Sequence, residues 1–217
     1  MPHHTHTPHP PALARRAPGL PHAPHQPELI VPQSGIHGGQ EMVSAAQAQQ
    51  MAEQLARDEV LQRLGVPTGP DDLMDQFADH LAEATGMLYG FVNIFRAEQT
   101  FVGLHNPPPD SGHLILGRTM SLDHGWCPAV VKRKKGLPLY DVHASPRFSG
   151  NFVVDAVGIR SYFGAPLIHE ETGITLGTVC TIDPEARPRA DARRLLDAVK
   201  AGGAMVLDTL TTGARTR

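Results

Sequence analysis

Cysteine is nearly missing from this chain. Cys127 and Cys180 are two among 217 residues, too few for a disulfide scaffold and suited to a reducing compartment. Aromatic residues make up 5% and include one tryptophan, Trp126. No apolar run approaches the roughly 18 residues of a membrane-spanning helix, and the N-terminus lacks the apolar stretch of about seven or more that marks a secretory leader. Neither sign of charge dominates: 19 Lys and Arg stand against 22 Asp and Glu, for a net charge of −3 and a pI near 6.5. That balance leaves no electrostatic footprint for nucleic acid or an acidic membrane surface. These absences lead us to expect a soluble cytoplasmic protein with no nucleic-acid and no membrane partner. What is present, a hydrophobic fraction of 41% over 217 residues, is enough for one globular domain of ordinary size with tails.

Residues 1–39 hold nine prolines and seven histidines (His3, His4, His6, His9, His22, His25 and His37). With almost nothing apolar in periodic register, the segment cannot offset its ordering entropy, and a disordered tail is expected. Its histidines offer metal ligands without fixed geometry. Residues 40–65 switch to helix formers, and Val43, Ala46, Met51, Leu55, Leu61 and Leu64 make an interrupted apolar stripe. That pattern predicts an amphipathic helix of about 25 residues. It packs either on its own domain or against a second copy. Asp71 and Asp72 open a second helix carrying Leu73, Met74, Phe77 and Leu81 at helical spacing, and Gly86 closes it. LYGFVNIF (88–95) and TFVGL (100–104) then predict two strands of a hairpin. HNPPPDSGHLILG (105–117) has no period and reads as a long loop.

Four blocks follow between Met120 and Asp183. MSLDHGWCPAVV predicts a helix over 123–134, capped by Asp123, with Trp126 and Cys127 in its first turn and the basic run KRKK (132–135) at its end. LYDVHASPRF predicts a strand running into a Ser-Pro turn, and Asn151 to Val157 a short helix stopped by Gly158. GIRSYFGAPLI and LGTVCTID are apolar strands joined by the loop HEETG (169–173). A final helix over 187–212 carries Leu195, Leu196, Val199, Val206, Leu207 and Leu210, with Gly202 and Gly203 weakening its middle by about 1 kcal/mol each relative to alanine. Residues 213–217 form a polar tail.

In this order and spacing, Cys127 after SLD, DVHASPRF (141–148), GIRSYFGAPL (158–167) and GTVCTIDP (177–184) resemble the GAF domain family, over about Asp71 to Asp183. The resemblance implies an α+β domain, 66–186, with a GAF/PAS-like central antiparallel sheet of five to six strands. Helices pack on that sheet, and N- and C-terminal helices flank it. It also implies a cavity between the sheet and the helices at 123–134 and 151–157, used in the family for small ligands. The residues it would draw on are Trp126, Cys127, Asp141, His143, Phe148, Asn151, Arg160 and Tyr162.

Each has a plainer structural reading. Trp126, Phe148 and Tyr162 are large enough to serve as core. Asp141 and His143, two apart, suggest an acid–base pair on one strand face. No nucleophile stands beside them, and Asp141 and Ser145 suit a turn. Cys127 in a first helical turn would feel the dipole and favour thiolate. Cys180, inside an apolar strand, suits a small inert hydrophobe. The paired short spacings of a zinc site are missing, and no haem signature stands out.

The reading this supports is a sensory or regulatory module that is not an enzyme. It would bind an unknown small molecule and act on a separate signalling partner, as a homodimer through its terminal helices. No cofactor is identifiable. The alternatives are a cysteine-based redox sensor or methionine sulfoxide reductase-like enzyme, and a ligand-free interaction scaffold.

Overall fold

The structure, a computed structural model, describes residues 44–215; the Pro/His-rich segment 1–39 lies outside the described residues. Helix α1, Ala45–Arg63, begins where Ser44 and Gln47 form a capping box; residues 40–43 of the expected helix lie outside the described residues. Its last turns bury Arg57, Val60 and Leu61, while Met51 and Leu55 stay exposed. The Arg57 Nε donates to the Thr175 carbonyl at 2.7 Å, tying the helix to the sheet. Helix α2, Asp72–Thr85, is capped by Asp71, whose carboxylate accepts from the Leu73 and Met74 N–H groups, and Gly86 ends it in the left-handed region.

Six strands follow: β1 Tyr89–Phe95, β2 Gln99–His105, β3 Thr119–Met120, β4 Leu137–Leu139, β5 Ser161–His169 and β6 Ile174–Asp183. They form one sheet in the order β3-β2-β1-β6-β5-β4, with every pairing antiparallel. The two expected hairpins, β1–β2 and β5–β6, are both present. The two-residue edge strand β3 carries no sequence signal, because its ladder rests on Gln99 and Thr100 of β2 and not on its own pattern.

Two local expectations need correction. Helix α3 spans Cys127–Arg133 only; its N-cap is Trp126, and no side chain caps it. Gly125 at φ 74° turns the chain away from helix, and Pro128, which gives up no needed N–H in a first turn, starts it. The segment after β4 is not a strand into a turn. It is a 3₁₀ turn, Val142–Ala144, followed by the one-turn helix α4, Pro146–Ser149. Helix α5, Phe152–Val157, then runs from an Asn151 cap to left-handed Gly158, as read from the sequence.

The sheet separates two hydrophobic cores. On one face Val60, Leu61, Met74, Leu81, Val199 and Val206 of α1, α2 and the last helix, α6 (Ala192–Arg215), pack on Val92, Ile94, Phe163, Leu167 and Val179. On the other, Trp126, Val130, Val142 and Val153 cover Tyr89, Phe91, Phe101, Tyr162, Cys180 and Ile182. Period-two alternation along β6 divides its neighbours: Val179 belongs to the first core and Cys180 to the second. The glycines of α6 have a packing reason that composition did not reveal. A Cβ at Gly202 would sit 2.6 Å from the Leu81 Cδ2, and one at Gly203 2.9 Å from the Val179 Cγ2. Their bare backbone lets α6 lie close to α2 and β6.

Candidate functional site

The second core is not filled completely. A cavity of about 100 Å³ lies between the sheet and the α3–α5 layer. Phe91, Phe101, Tyr162, Cys180 and Ile182 supply the sheet side. Trp126 and Cys127 enter from the start of α3, Val153 and Val157 from α5, and Leu116, Gly117, Thr119 and Met120 contribute from the end of the long loop. Trp126 leans on Tyr162 with ring centroids 5.3 Å apart, and Phe91 meets Phe101 edge-on at 5.0 Å. The Trp126 Nε1 donates to the Phe148 carbonyl at 3.2 Å, so the indole is anchored at its polar end.

At one side of this apolar space runs a buried polar seam. The Asn93 Nδ2 donates to the Gln99 Oε1 at 2.9 Å, and the Gln99 Nε2 donates to the carbonyls of Ser121 and His124. Register places Asn93 opposite Thr178 and Phe91 opposite Cys180. Above them the Cys127 Sγ lies 3.6 Å from the Cys180 Sγ and 3.4 Å from the Tyr162 hydroxyl. Tyr162 reaches that position by lying along its own strand. A Cβ on Gly164, two residues on, would fall 2.0 Å from the Tyr162 hydroxyl, so the missing side chain is what makes room for the ring.

Both thiols are buried and free, yet they differ. The hydrogen bond with Cys180 is the largest influence on Cys127 and lowers its pKa; loss of hydration opposes it, and Thr178, Tyr162 and Asn93 add to the lowering, to about 6. Cys180 is pushed up, first by the same sulfur–sulfur hydrogen bond and then by burial. Burial, followed by the charge of Cys127, pushes the Tyr162 phenol up. Where the pair ionises, the sulfur–sulfur hydrogen bond thus favours the negative charge on Cys127 and the proton on Cys180.

Of the eight residues singled out from the sequence, the structure brings Trp126, Cys127 and Tyr162 to the cavity. Phe148 packs at the margin of that core. Asn151 acts as a brace beside it. Its Oδ1 accepts from the Gly125 and Val153 N–H groups, and its Nδ2 donates to the Gly125 carbonyl at 2.7 Å. These bonds fasten the turn before α3 to the start of α5. Asp141, His143 and Arg160 are not among the cavity's lining residues. Asp141 caps the 3₁₀ turn through the His143 N–H and pairs with Arg160 at 2.8 Å, while His143 is exposed. With no strand under them, Asp141 and His143 do not form the face that the acid–base reading requires. Arg147 lies over the Phe148 ring. Lys134, at the end of α3, adopts φ 49° and donates through Nζ to the Gly173 carbonyl. Among the described residues no group of three or more His, Cys, Asp or Glu is arranged to hold a metal ion.

Sequence reasoning missed Phe91, Gln99, Phe101, Met120, Cys180 and Ile182. The signal for Phe91, Cys180 and Ile182 was there in the strand period, since each stands two positions from another residue of the same face. Choosing the face required the register.

The GAF domain family model matches residues 69–200, while no curated protein matches the chain. Solved structures of similar fold include a free methionine-R-sulfoxide reductase from Neisseria meningitidis in complex with its substrate, at 15% identity, covering 77% of this chain and 93% of that one, with a TM-score of 0.48. The GAF domain of an Acinetobacter phosphoenolpyruvate-protein phosphotransferase is 14% identical, covers 76% and 94%, and gives a TM-score of 0.46. A putative GAF sensor protein from Burkholderia vietnamiensis is 17% identical, covers 75% and 98%, and gives 0.43. With more than half of its length matched by the family model and its helices and strands arranged around one antiparallel sheet, the chain belongs to the GAF domain family, a family of sensory and regulatory modules.

Proposed function

We propose that this chain is a sensory module, a binding protein and not an enzyme, that takes a small uncharged molecule into the cavity beneath α3 and α5. The observation that carries the reading is the lining. No Asp, Glu, Lys, Arg or His lines that cavity, and aromatic and aliphatic side chains dominate it. An anion there would lose its hydration with no cationic side chain to offset it, which costs several kcal/mol, and a cation would find no carboxylate. The Gln99 amide is already spent on Asn93, Ser121 and His124. Tyr162, Thr119 and the two thiols are the polar side chains left to orient a ligand. Size restricts the choice further: about 100 Å³ falls short of the roughly 300–1,000 Å³ of pockets for drug-sized molecules. The occupant is therefore a compact molecule, or one that displaces the α3–α5 layer.

Binding is read out on the other face of the sheet, by α1 and α6, toward a signalling partner in the cytoplasm. Met51 and Leu55 of α1 and Met205 of α6, all more than half exposed, form the contact with a second copy.

Native mass spectrometry of freshly purified protein tests both parts. A small adduct that leaves on denaturation, carried by a dimer, is the expected result. A clean apo mass that stays clean when compact apolar molecules are added overturns the ligand reading and favours an interaction scaffold. A monomer at micromolar concentration overturns the dimer.

A further inference from the structure

Two thiols that are far apart in the sequence meet inside the cavity wall. Cys127 and Cys180 are separated by 53 residues, yet their sulfurs lie 3.6 Å apart. No other cysteine occurs in the chain. Both side chains border the cavity, so a reagent small enough to enter reaches them without unfolding the domain. Both are nearly inaccessible from bulk solvent, at 6% and 3% exposure, which shields the pair from larger thiols. Closing the pair to the roughly 2.05 Å of a disulfide requires the sulfurs to approach by about 1.5 Å. Cys127 sits at the first residue of a seven-residue helix and Cys180 on a central strand. The approach therefore falls to the α3 side, the more lightly held of the two.

We infer that Cys127 and Cys180 form a reversible dithiol–disulfide couple, oxidised by hydrogen peroxide or a similarly small hydroperoxide that enters through the cavity. The chemistry is complete with these two residues and the peroxide. The Cys127 thiolate attacks one peroxide oxygen, an S–O bond forms as the O–O bond breaks, and the departing hydroxide takes up the proton released by the thiol. Cys127 is then a sulfenic acid. The Cys180 sulfur attacks the Cys127 sulfur, the S–S bond forms as the S–O bond breaks, and the leaving hydroxide departs as water with the Cys180 proton. Two electrons pass from the two thiols to the peroxide, giving two waters and one disulfide. An added dithiol returns them. The hydrogen bond between the sulfurs divides the roles: Cys127 carries the negative charge that attacks, and Cys180 keeps its proton until the second step.

This inference goes beyond ligand sensing and does not rest on it. Oxidation can occur in an empty cavity, and a ligand can bind between reduced thiols.

The test treats the full-length reduced protein with hydrogen peroxide, followed by denaturing thiol alkylation and intact mass measurement. The expected product has lost two hydrogen atoms, takes up no alkylating agent, yields one cross-linked peptide joining Cys127 to Cys180, and reverts with dithiothreitol. Cys180→Ser should trap one added oxygen on Cys127, whereas Cys127→Ser should leave Cys180 unoxidised under the same treatment. The wild-type measurement needs no variant to fold. Two alkylatable thiols remaining after a peroxide exposure that oxidises a free cysteine peptide would overturn the proposal. So would disulfides linking separate chains, or oxygen addition with no S–S bond.

Discussion

Asp75 is a single side chain that joins three segments. It accepts the Leu104 N–H at 2.8 Å and takes two bonds from the Arg118 guanidinium, at 2.9 and 2.8 Å, and so fastens the first turn of α2 to β2 and to the chain entering β3. Partial burial works to raise its carboxyl, but the Arg118 hydrogen bonds, the Leu104 N–H and the Arg118 charge outweigh it, and the pKa ends below the ordinary value. A carboxyl that ionises more readily in the fold than in the unfolded chain stabilises the fold above the unfolded carboxylate range, near pH 4, and that contribution is lost as pH falls from there through the lower folded value. Asp75→Asn should cost about 1–2 kcal/mol at pH 7. Urea midpoints of the variant and the parent should converge as pH falls below the ordinary carboxylate range. A constant gap across that range would show that the charge is not what Asp75 contributes.

At the scale of an element, the roof of the cavity depends on Asn151. Its three side-chain hydrogen bonds hold the turn at Gly125 to the start of α5, so Asn151→Ala should cost about 2 kcal/mol. It should also speed hydrogen exchange over α3 and α5 while leaving α2 and α6 unchanged; uniform acceleration would mean that the brace is not local. Helix α6 supports the opposite kind of forecast. Alanine at Gly202 would gain about 1 kcal/mol of helix propensity, but a Cβ 2.6 Å from a buried Leu81 methyl brings an overpacking penalty of about 1–3 kcal/mol. Gly202→Ala should be neutral to destabilising by up to about 2 kcal/mol, where propensity alone promises a gain; a higher midpoint in urea would favour propensity.

The same contrast shows what the sequence made legible. Helices α2 and α5 could be read because their caps, Asp71 and Asn151, are local. The two hairpins could be read because strand and turn lie within a few residues. The start of α3 was misplaced because Asp123 has the right chemistry for a cap, but Gly125 and Pro128 decide the backbone. The role of Gly202 was hidden because its reason, Leu81, lies 121 positions earlier. Cys180 looked inert for the same cause, since its neighbour Cys127 reaches it only through the packing of α3 on the sheet.

Over the whole molecule, the disulfide proposed for Cys127 and Cys180 would cross-link α3 to the centre of the sheet around a separation of 53 residues. Removing that loop's freedom from the unfolded chain is worth up to about 4 kcal/mol, or a melting temperature higher by roughly 10 °C for a domain of this size. Peroxide-treated protein should therefore melt later than its dithiothreitol-treated counterpart, and Cys180→Ser should abolish the difference. A lower melting temperature on oxidation would mean that strain in the folded state exceeds the entropic gain.

Cys180, on the cavity side, is followed backward along β6 by Val179, whose methyl group seats Gly203 of α6. The two are consecutive residues, one peptide unit and about 3.8 Å apart. The cavity wall and the seat of α6 are thus adjacent residues of one strand. Any displacement of β6 at Cys180 would therefore be felt one residue away, at the Val179 side chain beneath α6.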